Sequence, residues 1–190
     1  MLSTVHFTIW LAIATSRGTM TELRIWHSSR DPYHCVFRMI RLLKVKSEGL
    51  SLERLRILDM FLLYPSLLHR LALPTDIKAR FRELKIEHPK TTFMRLPSNA
   101  SVWQDLQVYQ SASLKQLVGR GLLYQSDFQE RVARLVHTNL PEGLASRIDV
   151  ENSSDQHLMT LLVDEIGSLS MTGPSGLIRR AGIPARGPVL

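Results

Sequence analysis

The residues that decide the fold are 32–73, PYHCVFRMIRLLKVKSEGLSLERLRILDMFLLYPSLLHRLAL. Apolar side chains recur at helical spacing on both sides of a short polar break at residues 47–49. Asp31 is placed to cap the first helix, with Pro32 at its first position, and Ser51 is placed to cap the second. The second run is apolar on most sides, which predicts a buried helix. The stretch therefore predicts two packed helices at the centre of a helical domain.

The rest of the chain also predicts helices, but its apolar spacing is less regular. The residue before Pro65 is disfavoured in a helix, so a kink is expected there, followed by a short continuation. An extended segment is expected at residues 122–124, and loops are expected at residues 88–99 and 152–154. The total is six or seven helices with little sheet, which makes the fold class mainly α, a single compact helical domain. Further helices are predicted over residues 76–86, 101–118, 126–140, 142–150 and 155–166.

Composition divides the chain into three parts. Residues 1–19 are apolar, but no Lys or Arg precedes Arg17, whereas a signal peptide begins with a basic stretch. We therefore interpret residues 1–19 as an extension outside the core, with a signal peptide as the alternative. Residues 20–167 form the predicted helical domain. Residues 168–190 are rich in Gly, Pro and Arg without periodicity, which predicts a disordered basic tail.

The formal net charge is +7 and the isoelectric point is about 10.0. This balance favours an acidic partner, such as nucleic acid, an acidic protein surface or anionic lipid, although a solvated basic surface has the same composition. The only cysteine is Cys35, so the chain has no pair for an internal disulfide. A reducing, cytoplasmic compartment is the expected location.

No motif indicates catalysis. The sequence has no phosphate-binding loop, no nucleophile elbow and no pair of histidines at metal-ligand spacing, so we expect no catalytic, cofactor or metal site and no enzyme. His34 and Cys35 are adjacent on a helix and point about 100° apart, so they do not form a nucleophile and base. Asp59 lies three residues after Arg56, and this spacing favours a structural ion pair between them.

Residues 111–124, SASLKQLVGRGLLY, have the most suggestive local pattern. A helix that ends at glycine before an apolar pair is typical of the third helix of winged-helix domains. Lys115, Gln116 and Arg120 would then face outward and could contact phosphates or base edges of DNA. The context is incomplete, because a wing requires a second strand and Ser126 is predicted to begin a helix. An ordinary amphipathic helix with a solvated basic face explains the same pattern.

Basic side chains also line the first predicted helix. Arg38, Arg41, Lys44 and Lys46 lie on it, and such a run is usually a solvated face. A protein partner with an acidic surface is the second interpretation, which makes Arg38 and Arg41 candidate partner contacts.

The core sequence resembles a known family. Residues 31–34 (DPYH), residues 37–43 (FRMIRLL) and residues 52–68 (LERLRILDMFLLYPSLL) resemble the small middle components of bacterial ABC-three-component systems, of the fifth type. The resemblance is best from Asp31 to Pro74 and extends to about residue 167. Its motifs are packing signatures, so no functional residue follows from it.

The resemblance implies a role as a non-catalytic adaptor. Such proteins are encoded between a large ABC-type, SMC-like ATPase and an effector or sensor subunit, in systems of antiviral or antiplasmid defence. The implied partners are that ATPase, the effector or sensor, and DNA through the complex, without a membrane. A free-standing helix-turn-helix-type transcriptional regulator, using Lys115, Gln116 and Arg120, is the alternative. An enzyme with an unrecognised site is the least favoured hypothesis.

Overall fold

A computed structural model describes residues 28–88 and 97–184, so the predicted extension at residues 1–19 and most of the loop predicted at residues 88–99 lie outside it. The described residues form eight α-helices and a two-stranded sheet, which confirms a mainly α fold. Short 3₁₀ helices occupy Ser28–Arg30, Pro65–Arg70 and His137–Asn139, and a π-helical turn occupies Leu161–Ile166. The α-helices are α1 (Pro32–Val45), α2 (Leu52–Leu63), α3 (Thr75–Glu83), α4 (Asn99–Gly119), α5 (Gln125–Gln129), α6 (Glu142–Ser154), α7 (Gln156–Thr160) and α8 (Leu177–Arg180), and the strands are β1 (Leu50–Ser51) and β2 (Val132–Ala133).

The two central helices begin where their capping residues predict. The Asp31 carboxylate accepts from the backbone N–H of Tyr33 at 2.9 Å, and Pro32 occupies the start of α1. The Ser51 hydroxyl accepts from the N–H of Arg54 at 3.4 Å at the start of α2. Both helices pack against each other, and α1 also packs along α4. Helix α2 is buried on almost every side, as its sequence predicts.

The connection after α2 also follows the sequence. The α-helix stops at Tyr64, and Pro65 begins a 3₁₀ helix whose Leu67 and Leu68 are buried. Helix α3 then buries Ile77 and ends three residues earlier than predicted. Among the described residues, no helix is both long enough and apolar enough to cross a bilayer.

The predicted helix over residues 126–140 is wrong beyond its first turn. Helix α5 has five residues, Arg131 adopts a positive φ of 61°, and Val132 and Ala133 form β2. Strand β2 pairs antiparallel with β1, which joins segments that are distant in the sequence. Leu123 forms an antiparallel bridge with Leu135, which confirms the extended segment at residues 122–124. Residues 122–124 and 134–136 are therefore paired antiparallel after helix α4, with helix α5 between them where a wing would have a turn.

The C-terminal third is more ordered than the sequence predicts. Helix α6 runs through residues 152–154, where a loop was predicted, and α7 follows at once. The predicted disordered tail is wrong for residues 168–184, since Leu177 is fully buried in α8. Ala72 donates its backbone N–H to the Arg180 carbonyl, and the Arg180 guanidinium donates back to the Ala72 carbonyl. The Asn99 side-chain amide donates to the Ala181 carbonyl at 3.0 Å, so the C-terminal segment is hydrogen-bonded to the start of α4 as well as to Ala72. Residues 185–190 lie outside the described part.

Candidate functional site

The centre of the molecule contains a buried ion pair. The Arg38 guanidinium donates from Nε to Asp59 Oδ1 at 2.7 Å and from Nη2 to Asp59 Oδ2 at 3.2 Å. Arg38 is 3% exposed and Asp59 is 0% exposed, so both charges have left water together. Burial alone would lower the pKa of Arg38, but the Asp59 carboxylate outweighs this effect and raises the pKa above its ordinary value. The pair therefore joins α1 to α2 in a fixed geometry.

A second buried arginine is connected to the same carboxylate through Gln110. The Gln110 amide donates to Asp59 Oδ2 at 2.8 Å and to the Arg56 carbonyl at 3.0 Å. Its oxygen accepts from Arg56 Nε at 3.1 Å, and the Arg56 guanidinium lies 4.5 Å from the centroid of the Trp103 ring. Desolvation lowers the pKa of Arg56, whose Nη2 has no partner among the described residues. The predicted Arg56–Asp59 ion pair is therefore wrong: Asp59 pairs with Arg38, because the tertiary packing of α1 on α2 overrides spacing along one helix.

Cys35 and His34 adjoin this network without forming a reactive pair. Burial, reinforced by the Asp59 carboxylate, raises the pKa of the Cys35 thiol to about 12, so the thiol is protonated and inert at neutral pH. Burial and the neighbouring Arg38 lower the pKa of His34. Arg38 Nη1 lies 2.7 Å from His34 Nδ1, and because a guanidinium can only donate, this nitrogen accepts and the imidazole is neutral.

The other basic residues of α1 also form ion pairs with carboxylates of the described residues. Arg41 donates to Asp155 Oδ2 at 2.6 Å and to Asn152 Oδ1 at 2.9 Å, which ties α1 to the segment joining α6 and α7. Lys44 pairs with Asp149 at 2.6 Å. The interpretation of Arg38 and Arg41 as a solvated face or an open partner contact is therefore wrong, because both side chains are buried, Arg38 pairs with Asp59, and Arg41 pairs with Asp155.

The DNA-contact candidates lie together at the C-terminal end of α4. Lys115 and Arg120 are exposed, and Gln116 is half-buried. Neither Lys115 nor Arg120 forms an ion pair with a carboxylate of residues 28–88 or 97–184. Both cations, at the C-terminal end of α4, are therefore available to a ligand.

The middle of the same helix face has a different character. Val108 is 73% exposed, with exposed Asp105 before it and exposed Ala112 after it. Tyr33, at the start of α1, is 70% exposed. The adjoining Pro32 carbonyl accepts from the α4 hydroxyl of Ser113 at 3.0 Å, so both exposed side chains belong to one packed pair of helices. Apolar and aromatic side chains with a polar surround are typical of protein–protein interfaces, whereas a carboxylate disfavours contact with phosphates.

Sequence reasoning missed the buried polar residues of α4. Gln110 is 0% exposed and lies four residues from both Leu106 and Leu114, on the apolar stripe of the helix. A polar side chain on a buried stripe indicates an internal hydrogen-bonding partner, and this signal was present in the sequence. The described residues contain no group of three or more His, Cys, Asp or Glu side chains that could hold a metal ion.

The described residues thus form a mainly helical protein with one two-stranded sheet and a buried central ion pair. The family model of the ABC-three component (ABC-3C) system Middle Component 5 matches residues 24–185. This match covers most of the chain, and the chain belongs to that family, as the core sequence predicts. As a component of a multi-component system, it has partner components. No curated protein and no solved structure matches the chain significantly.

Proposed function

We propose that the chain is a non-catalytic adaptor that bridges the ABC-type ATPase of its system to an effector or sensor subunit. The observation that carries this proposal is membership of a middle-component family. The proposal also includes a cytoplasmic location and an action in defence against phage or plasmids, as the sequence resemblance implies.

The chemistry of the buried groups supports a structural role for them. Arg38, Asp59 and Gln110 are enclosed and donate to or accept from one another, and the Cys35 thiol is protonated. Enclosed polar networks of this kind fix the arrangement of helices. The network therefore supports a rigid scaffold that holds α1 and α4 in place.

The exposed part of that scaffold is the candidate partner surface. Val108 and Tyr33 are the most exposed of the large hydrophobic side chains described on α1 and α4. Burying such side chains at the centre of an interface contributes much of the binding free energy of protein complexes. We therefore propose that the exposed side of α4 around Val108 contacts a partner component.

Coexpression tests the proposal directly. The tagged full chain is expressed with and without the products of adjacent genes, and complex size and ATP hydrolysis are measured. We expect a stable complex with a large ATPase that Val108→Glu weakens by about tenfold or more. Val150→Glu is the matched control, because Val150 is 69% exposed on α6. Equal capture by both variants would reject this surface, and the absence of any complex with the ATPase would reject the adaptor role.

A DNA-binding regulator is the second candidate. It is favoured by the antiparallel pairing of Leu123 with Leu135 after α4, and by the exposed cations Lys115 and Arg120 at the end of that helix. Its test is binding to the promoter of its own gene over a range of salt concentrations. The unaltered chain should bind with a steep dependence on salt, and charge reversal at Lys115 and Arg120 should abolish binding. The exposed Asp105 and Val108 make this candidate weaker, because they occupy the middle of the face that would meet DNA.

A further inference from the structure

A cavity lies between the Pro65–Arg70 helix, α3 and the residues after α3. It is separate from the proposed adaptor surface. Its volume is about 410 Å³, within the range of about 300–1,000 Å³ that is typical of small-molecule sites. Apolar side chains form much of its lining, and none of its lining residues is Asp or Glu. The apolar lining residues are Leu68, Leu71, Leu73, Phe81 and Ile86.

Three cations line this cavity: Lys78, Arg82 and Lys85. All three are exposed, and none forms an ion pair with a carboxylate of the described residues. Lys78 and Arg82 are four residues apart on one face of α3, a spacing at which like charges repel. The C-terminal end of α3 provides only about half a negative charge, so the field inside the cavity stays positive.

A stack of rings forms the aromatic part of the lining. His69 and His88 are stacked with ring centroids 3.8 Å apart and an interplanar angle of 26°. The Phe81 ring meets His69 at 72° with centroids 4.9 Å apart. His69 Nε2 lies 3.0 Å from the Ile86 carbonyl, and because a carbonyl can only accept, this nitrogen carries the proton and holds the ring in place. His88 is exposed, so its ring extends the stack toward solvent.

We propose that this cavity binds a nucleoside phosphate. The flat base stacks on the His88 ring, and the phosphate accepts from Lys78, Arg82 and Lys85. Stacking on aromatic rings combined with cations for phosphate is the general way in which proteins hold nucleotides without reading base identity. Inorganic phosphate satisfies only the cations, whereas a nucleotide occupies the ring stack as well. The ligand is either a free mononucleotide or a nucleotide of a single strand, since both present this chemistry.

Titration calorimetry on the full-length chain tests the site with ATP, AMP, inorganic phosphate and a short oligothymidylate. We expect the double variant K78E/R82E to weaken nucleotide binding by about tenfold or more, because it removes two charge-assisted hydrogen bonds. The matched control R147E/R179E changes the net charge equally at other exposed positions and should stay within about twofold. All these positions are exposed, so circular dichroism should show unchanged folding.

A single-residue variant separates the stacking contact from simple attraction of anions. H88A should weaken ATP binding and leave the affinity for inorganic phosphate unchanged. Binding of oligothymidylate alone, lost in K78E/R82E, would assign the site to strand-borne nucleotides. The proposal fails if neither ATP nor oligothymidylate binds at about 1 mM, a weak-binding limit. It also fails if K78E/R82E behaves like R147E/R179E, or if H88A leaves ATP binding unchanged.

Discussion

Replacing Asp59 by alanine should have the largest effect of any single polar substitution in the core. The change removes the acceptor of two hydrogen bonds from Arg38, at 2.7 and 3.2 Å, and of one from Gln110, at 2.8 Å. Arg38 would keep its contacts with the His34 ring and the Ser28 carbonyl, but its charge would stay buried without a counterion. The variant thus isolates the consequence of an uncompensated charge in the core.

The magnitude follows from burial rather than from the number of bonds. Breaking a buried ion pair by removing one partner destabilises a protein by about 3–5 kcal/mol. Single domains have unfolding free energies of about 5–15 kcal/mol, so Asp59→Ala should remove at least about a fifth of the total, or unfold the protein at the lower end. Replacing both members, as in Arg38→Met with Asp59→Leu, leaves no buried charge. That double variant should lie within about 2 kcal/mol of the parent.

Urea unfolding at pH 7, followed by far-ultraviolet circular dichroism, measures these differences from the transition midpoints at constant slope. Asp149→Ala is the matched control, because Asp149 pairs with Lys44 while its side chain is 63% exposed. Exposed pairs contribute about 0–1 kcal/mol, so this control should barely shift the midpoint. A loss below about 1 kcal/mol for Asp59→Ala, or a double variant as unstable as the sum of its single variants, would refute the reasoning.

Three further predictions concern the backbone and two titratable groups. Gly49→Ala should lower the free energy of unfolding by at least about 2 kcal/mol in urea, because φ is +86° and a Cβ would lie 2.7 Å from the Ala133 carbonyl oxygen. The control is Gly143→Ala, which should be neutral or stabilising because no described atom lies within 4 Å of the added Cβ. Folding raises the pKa of Cys35 from 9.0 to about 12, so its contribution to stability is complete below pH 9 and declines by about 1.4 kcal/mol per unit above it. Cys35→Ala should remove that decline from the difference in unfolding free energy between pH 9 and pH 10. Folding lowers the pKa of His34, so its contribution is present above pH 6.5 and is lost as the pH falls through the folded-state value, and His34→Gln should flatten this acid limb in thermal unfolding.

The central helices could be predicted because their signals are local. Asp31 and Ser51 are within three residues of the N–H groups they cap, and the apolar spacing of α2 identifies a buried helix without knowledge of its neighbours. Strand β2 could not be predicted in this way. Val132 was assigned to the helix predicted over residues 126–140, but it pairs with Ser51, far earlier in the chain. Tertiary pairing overrides weak local preference in such short segments.

The candidate sites show the same limit. Lys115, Gln116 and Arg120 were predicted to face outward from a winged-helix-like pattern; Lys115 and Arg120 are exposed, and Gln116 is half-buried. Arg38 was assigned to a solvated face because charge normally indicates exposure, and only its approach to Asp59 on another helix reverses that expectation. The cavity beside α3 likewise depends on His69 and His88 meeting across a turn, which no spacing rule predicts.

The hydrogen bonds that hold the C-terminal segment can form only late in the synthesis of the chain. Ala72 bonds to Arg180, which follows it by 108 residues, and Asn99 bonds to Ala181, which follows it by 82. Chains leave the ribosome from the N-terminus at about 5–20 residues per second, so the contact made by Ala72 waits for about 5–20 s. During that interval the apolar site of Leu177 is open to water and to neighbouring nascent chains. The unfinished protein is therefore a natural client for chaperones, although its first two helices are complete long before.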